Sequence, residues 1–486
     1  MRKVIMGMGV ILMMWGCTGN EPASSGSAGD PVALDATGKP QPSEKGCRGC
    51  HPVSLGENHD FFCEDCHLGD AHGSDKNAAH QGLIEQPAHP VSMTRFCGRC
   101  HGEIVEQVAG TVHFTVANEI NMVRQAFGST ETLVSLVDIP RGDSSPATPL
   151  QLVDDLLRRR CLRCHVYSAG EAYPATVHGT GCAACHLAFA SGSLVKHDFL
   201  AKPSDQQCLS CHYGNRVGAD YYGRFDHDVN WDYRTPFAAG EEQREPFGLG
   251  YHQLVPDVHQ KAGMQCIDCH GASELMAGKE SLSCVSCHGD SLDQRVISVT
   301  DRGGRRDLVL ANGKTVIIPV MVDSAHDRYG KKVGCQVCHS QWTFGDYGNH
   351  LIRMDDPDYE MWEGVTRQGS AELESRLETA LYLDGGEDEV TMADGITGKA
   401  LPGLWLQAYE LRRWEDVNTC FDLQGMLQVC RPLLDLYLSF TNNEGETVFD
   451  RIVPQKGTVV MTPYTPHTTG KAGQFYQQRL MPLHLP

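Results

Sequence analysis

The 486-residue chain has no apolar run near the roughly 18 residues that a membrane-spanning helix requires; the run at its start, Val4 to Trp15, covers twelve. It is also poor in positive charge. Lys and Arg number 41 against 61 Asp and Glu, so 41 − 61 = −20 with histidines neutral. That balance argues against nucleic acid, whose binders carry basic patches. It fits a soluble surface that steers cationic partners over a range that salt shortens. The last part of the chain, 351–486, lacks the motif that fills the rest and holds only two cysteines, Cys420 and Cys430.

Cysteine and histidine are abundant instead, at 21 and 23. Eighteen of the cysteines fall into nine copies of Cys-x-x-Cys-His: Cys47, Cys50 and His51; Cys63, Cys66 and His67; Cys97, Cys100 and His101; Cys161, Cys164 and His165; Cys182, Cys185 and His186; Cys208, Cys211 and His212; Cys266, Cys269 and His270; Cys284, Cys287 and His288; Cys335, Cys338 and His339. Shuffling this composition yields on the order of 0.04 copies. The motif is that of covalent haem attachment. Two thiols form thioethers with the vinyl groups of one haem, and the adjacent histidine reaches the iron. Zinc sites use paired Cys-x-x-Cys without requiring His after each pair, and a disulfide framework needs no His at all. The expected cofactor is therefore haem c, nine per chain, with iron as the bound metal.

Nine histidines are used within the motifs, which leaves 23 − 9 = 14. A second histidine on each iron would hold it six-coordinate and low in potential, whereas methionine would raise the potential. The candidates are His59, His72, His80, His89, His113, His178, His197, His227, His252, His259, His326 and His350. Several stand a few residues ahead of a motif: His178 and His59 by four, His259 by seven, His89 by eight and His326 by nine. His484, two residues from the end, is not expected to ligate.

Arg2, Lys3 and the apolar run have the form of an export signal. The stretch Met14-Trp15-Gly16-Cys17 resembles the lipobox of bacterial lipoproteins, which implies cleavage of 1–17 and a lipid on Cys17. Thr18 after that cysteine favours the outer membrane by analogy with lipoprotein sorting. Residues 18–45, rich in Gly, Ser, Ala, Pro and Asp, read as a flexible tether.

The motifs run from Cys47 to His339, within a haem region taken as 46–350, at about 33 residues per haem. Porphyrin faces must then replace much of the apolar core. The expected fold is a haem-packed, loop-rich cytochrome with short α-helices and few strands. Val105 to Phe127 and Leu150 to Arg160 are the expected helices. A hairpin is expected where Asp307–Ala311 and Thr315–Ile318 flank Asn312-Gly313. Residues 351–486 read as a small β-rich or mixed region, with strands at Leu436–Phe440 and Glu446–Phe449 and a Cys420–Cys430 disulfide.

The motif density resembles that of the large multihaem c-type cytochromes of metal-, sulfur- and nitrogen-respiring bacteria. So do Asp257-Val-His259 ahead of Gly263-Met-Gln-Cys266-Ile-Asp-Cys269-His270, and Cys335-Gln-Val-Cys338-His339-Ser-Gln-Trp342. In such proteins another motif soon follows that tryptophan. Here the stretch reads Asp346-Tyr-Gly-Asn-His350, a vacated site whose histidine is free to serve as a distal ligand. Thr465-Pro-His467-Thr-Thr469 resembles a segment that precedes a further motif. More distantly the chain is similar to the octahaem tetrathionate reductase and hydroxylamine oxidoreductase group, although the Cys-x-x-Cys-Lys site of the tetrathionate enzyme is absent. The resemblance implies an exported electron carrier that relays electrons between other redox proteins, such as small periplasmic or outer-membrane cytochromes. Two alternatives are a multihaem oxidoreductase with one open iron for nitrite, hydroxylamine or tetrathionate, and a subunit of a cytochrome filament.

Overall fold

A computed structural model describes residues 46–142, 145–213, 217–226, 246–248, 251–289, 299–302, 305–343, 345–356, 370–382, 391–413, 417–455, 461–472 and 476–484. The signal, Cys17, the tether and His227 lie outside them. The chain forms two compact units: Met1–Val53 with Gly69–Gln81, and Ser54–Leu68 with Gly82–Pro486. The first contributes a 3-10 turn at Gly46–Gly49 and a short helix at Lys76–Ala79. The carboxylate of Asp75 caps that helix by accepting from the N–H groups of Asn77 and Ala78.

The second unit is a series of short helices joined by loops, followed by small sheets. The helix expected over Val105 to Phe127 is three pieces, Gly98–Ala109, Val112–Thr115 and Ala117–Ala126. Gly110 ends the first piece, and the hydroxyls of Thr111 and Thr115 donate back to the carbonyls of Val108 and Thr111. Val116, at φ 51°, ends the second. The breaks leave His113 on its own short turn. The next expected helix is Pro149–Leu156, started by Pro149 and a reciprocal Thr148–Gln151 cap. It then widens into a π-turn over Leu157–Cys161. From that turn Arg158, Arg159 and Arg160 each reach a different partner: Asp394, the Pro402 carbonyl and Gln407.

Four strands make the main sheet: β1 (Gly345–Met354), β2 (Leu404–Arg413), β3 (Leu436–Thr441) and β4 (Thr447–Ile452). Their order is β2-β1-β3-β4, antiparallel except for the parallel β1–β3 pair. Strand β1 runs across position 350. The largest apolar core packs this sheet, through Trp405, Leu406, Leu438 and Phe440, against Ile120, Leu152 and Leu156 of the helices. The clusters nearer the motifs are much smaller. Little side-chain core exists there because a chain this dense in attachment motifs leaves few apolar residues between them.

The expected hairpin pairs Arg305–Val309 with Thr315–Ile318, and Val299–Arg302 adds a third strand. Its turn is one residue longer than expected. Leu310 and Lys314 close it, with Gly313 at φ 83° in the left-handed region that a type I turn plus bulge requires. The described residues hold more strands than the sequence suggests, most of them beyond position 345.

Cys420 and Cys430 form a disulfide between the paired strands Thr419–Phe421 and Leu427–Pro432. It closes a loop across a sequence separation of 10. Replacing both by serine is expected to lower stability by about 2–3 kcal/mol, read from a guanidinium unfolding curve. No change in midpoint would mean that the strands hold the loop without it.

Candidate haem sites

None of the eighteen motif cysteines is in a disulfide, so the Cys-x-x-Cys pairs are not oxidised to one another. Among the described residues no group of three or more His, Cys, Asp or Glu forms a metal cage of the zinc kind. Four motifs are single helical turns beginning at their first cysteine: Cys63–His67, Cys182–His186, Cys284–His288 and Cys335–His339. One turn puts both thiols and the histidine on neighbouring faces, which is what a thioether-linked porphyrin above an imidazole needs.

Seven motif histidines face a second histidine. The ring centres are 5.9 Å apart for His51 and His80, 6.3 Å for His101 and His59, and 6.0 Å for His67 and His197. They are 6.2 Å apart for His212 and His113, 6.2 Å for His270 and His467, 6.1 Å for His288 and His259, and 6.2 Å for His339 and His326. A metal–nitrogen bond of about 2 Å on each side, plus roughly 1.1 Å from each nitrogen to its ring centre, places two imidazoles on one metal about 6 Å apart. The measured gaps match an iron between the rings and are too wide for direct stacking contact. The residues present therefore fit bis-histidine haem.

Tautomers agree. A carbonyl can only accept, so a ring nitrogen that meets one must carry the proton and leave the other nitrogen's lone pair for a metal. The Nδ1–H groups of His67, His288 and His339 donate to the carbonyls of Ile84, Pro319 and Gly470 at 2.9 Å each. His186 donates to Leu200 at 2.7 Å and His326 to Asp323 at 3.1 Å. Carboxylates serve for His259 (Asp257, 2.8 Å) and His270 (Glu274, 3.0 Å). Burial also lowers the pKa of His59, His113, His197, His288 and His467, holding each neutral, the form that binds metal.

Six of the candidate distal histidines stand in these pairs: His59, His80, His113, His197, His259 and His326. The seventh partner, His467, was not among the candidates. Its signal was the Thr465–Thr469 segment, which resembles the lead-in to a further motif yet has none behind it. The others stand elsewhere. His72 is exposed, with its backbone N–H on Asp70. His89 caps the helix Pro90–Phe96, its Nδ1 accepting from the Val91 N–H. His350 lies on β1, with Nε2 at 3.0 Å from the Ser439 hydroxyl and its ring 4.4 Å from that of Tyr437. The sheet thus uses His350 for packing, and the structure does not bring it to a motif. The side chain of His252, like all of His227, lies outside the described residues.

Two motif histidines, His165 and His186, face no second histidine among the described residues. His186 keeps the ligand tautomer. His165 differs, because its Nδ1 accepts from the Tyr167 N–H at 3.1 Å. Its buried Nε2 meets no partner, and a methyl on Gly395 would come within 3.8 Å of it. Burial, then nearby His178, pushes its pKa down to about 4. The motif that holds it, unlike most others, is not a helical turn. His178 does have the ligand tautomer. Its Nδ1–H donates to Gly179 at 2.7 Å, and its Nε2 lies 3.5 Å from Cys211 Sγ.

Residues 258–346, which contain the last three motifs, match the cytochrome c3 family. No curated protein and no solved structure matches the chain. The family match supports a multihaem c-type cytochrome with covalently bound haem c and an electron-transfer role.

Proposed function

We propose that the chain is a nonahaem electron relay, with a haem on each Cys-x-x-Cys-His motif and seven irons held between two histidines. The observation that carries this reading is the set of seven histidine pairs at the spacing an iron requires. Bound haem supplies one-electron chemistry. At the seven paired sites the two histidines would hold the iron from both sides and shield it from substrate. Through carbonyl and carboxylate acceptors on Nδ1 the chain also raises ligand basicity and so lowers potential. The export signal, the lipobox-like Cys17 and the acidic balance support a lipoprotein of the outer membrane that exchanges electrons with small cationic redox proteins there.

A second reading rests on His165 and His186, which face no second histidine among the described residues. An iron at either site with an open position would admit a small nitrogen or sulfur oxyanion, and the chain would be a multihaem oxidoreductase. One experiment separates the two. Mass spectrometry of the exported protein should show nine haems, and electron paramagnetic resonance of the oxidised form should show low-spin signals for at least seven. A haem-sized mass deficit, or high-spin signals from more than two haems per chain, would overturn the relay. A high-spin signal from one or two would move the weight to the second reading.

A further inference from the structure

One short segment late in the chain reaches the histidines of three motifs at once. His467 faces His270 at 6.2 Å. One residue on, the Thr468 carbonyl accepts from the Gln341 N–H at 2.8 Å, and the Thr468 hydroxyl donates to the Trp342 carbonyl. The Thr469 N–H donates to one oxygen of Asp257 at 2.6 Å, and the Thr469 carbonyl accepts from the Val258 N–H at 2.9 Å. The other Asp257 oxygen accepts from the N–H and from the Nδ1–H of His259, each at 2.8 Å. His259 is the ring opposite His288. Gly470 makes a reciprocal pair with His339. Its N–H donates to the His339 carbonyl at 2.8 Å, and its carbonyl accepts the His339 Nδ1–H at 2.9 Å. His339 in turn faces His326.

An acceptor on Nδ1–H sets the tautomer of an imidazole, turns its ring and strengthens the other nitrogen as a donor, which lowers an iron's potential. The segment provides one ring itself, holds the acceptor of a second and is the acceptor of a third. Asp257 and Thr468 are 2% and 0% exposed, so water cannot replace a partner that is lost. Gln341 ties the segment to the stretch that carries Asp257, since its Nε2 donates to the carbonyls of Thr469 at 3.0 Å and Pro256 at 3.2 Å. Glu274 shows the local alternative. Its carboxylate accepts from the Nδ1–H of His270, four residues away, and from the Ser281 hydroxyl.

We propose that residues 467–470 are a positioning segment that tunes the irons of the last three motifs together, acting on His259 through Asp257. This deepens the relay reading and rests on it. Three potentials that shift together keep their differences, and those differences set the direction of flow.

Asp257→Asn tests the proposal. The amide keeps the size of the side chain but turns a donor towards Thr469 or His259, where each needs an acceptor. In protein that mass spectrometry shows to carry nine haems, the low-spin difference spectrum against the unmodified protein should integrate to about three haems. Glu274→Gln, the same exchange at the local acceptor, should integrate to about one. Gln341→Ala touches no ligand ring and should repeat the change seen in Asp257→Asn; it decides the matter if that variant loads poorly. A one-haem change in Asp257→Asn or in Gln341→Ala, or an equal change in Glu274→Gln, would overturn the shared role and leave the relay standing. Fewer than nine haems on the unmodified protein would count against the relay itself. Hydrogen exchange needs no variant. The amides of Val258, Thr469 and Gly470 should be protected alike, within about tenfold, because they open as one unit. A wider spread would mean that the three contacts break separately, and the proposal would fail.

Discussion

Replacing His467 by alanine should create a high-spin haem in the oxidised protein, at about one per chain, and leave the haem mass unchanged. On the relay reading Cys266 and Cys269 would supply the thioethers and His270 the first ligand nitrogen, none of which the substitution touches. Only the ring 6.2 Å across from His270 is lost. Cytochrome c3 similarity ends at position 346, so nothing in that match marks a residue 121 positions further on as a ligand. The loop that brings it back is well anchored. The Thr469 N–H donates to the Asp257 carboxylate at 2.6 Å, and Gln336 donates to the Thr469 hydroxyl at 2.9 Å. Loss of the imidazole should therefore leave an open position and not a collapsed loop. His350→Ala is the contrast. Its ring bonds Ser439 and rests on Tyr437, so its removal should cost about 1 kcal/mol of stability with no high-spin signal. If His467→Ala stays low-spin, the pairing with His270 is wrong. If His350→Ala turns high-spin, the reading of the strand is wrong.

These two histidines mark the limit of what the sequence disclosed. The attachment residues were legible because covalent chemistry fixes two thiols and a histidine within five positions. Six of the histidines that stand opposite a motif histidine could be nominated from sequence because they fall close to some motif, though often not to the one they face. His197 follows the fifth motif and meets His67 of the second; His113 follows the third and meets His212 of the sixth. Such pairings depend on how short helices stack, which no local pattern encodes. His350 kept the appearance of a ligand because a vacated motif preserves the residue. The strand around it gives it other neighbours, since parallel pairing with β3 puts Tyr437 opposite it. The helix over Val105 to Phe127 was overestimated because its apolar period continues through Gly110 and Val116, while two threonine hydroxyls break the backbone ladder. The hairpins at Gly313 and Gly445 were legible because only glycine takes the left-handed conformation cheaply.

The same physics makes Asp155→Ala the most damaging single change expected away from the haem sites, at about 3–5 kcal/mol. Asp155 Oδ1 accepts from Arg159 at 2.9 Å and from the Trp405 indole at 2.6 Å, and Oδ2 lies 3.4 Å from Arg353. All four side chains are buried. Both arginines have other acceptors: Arg159 reaches the carbonyls of Leu401, Pro402 and Gly403, and Arg353 reaches Asp355. Those contacts hold the guanidinium groups in place, so after the substitution they stay inside with less charge compensation and cannot swing out to water. Glu131→Ala removes a partner of Arg124 that is 64% exposed, and should cost no more than about 1 kcal/mol. Guanidinium unfolding of the two variants side by side would show the difference, and equal midpoints would mean that the buried network contributes nothing beyond a surface pair. The damage should also have a location. Asp155 belongs to the helix that runs through Arg158, Arg159 and Arg160 into Cys161, so a loosened core there should first cost the haem at Cys161 and Cys164. Peptide mapping of the variant is expected to show that site under-occupied while Cys335 and Cys338 remain fully modified.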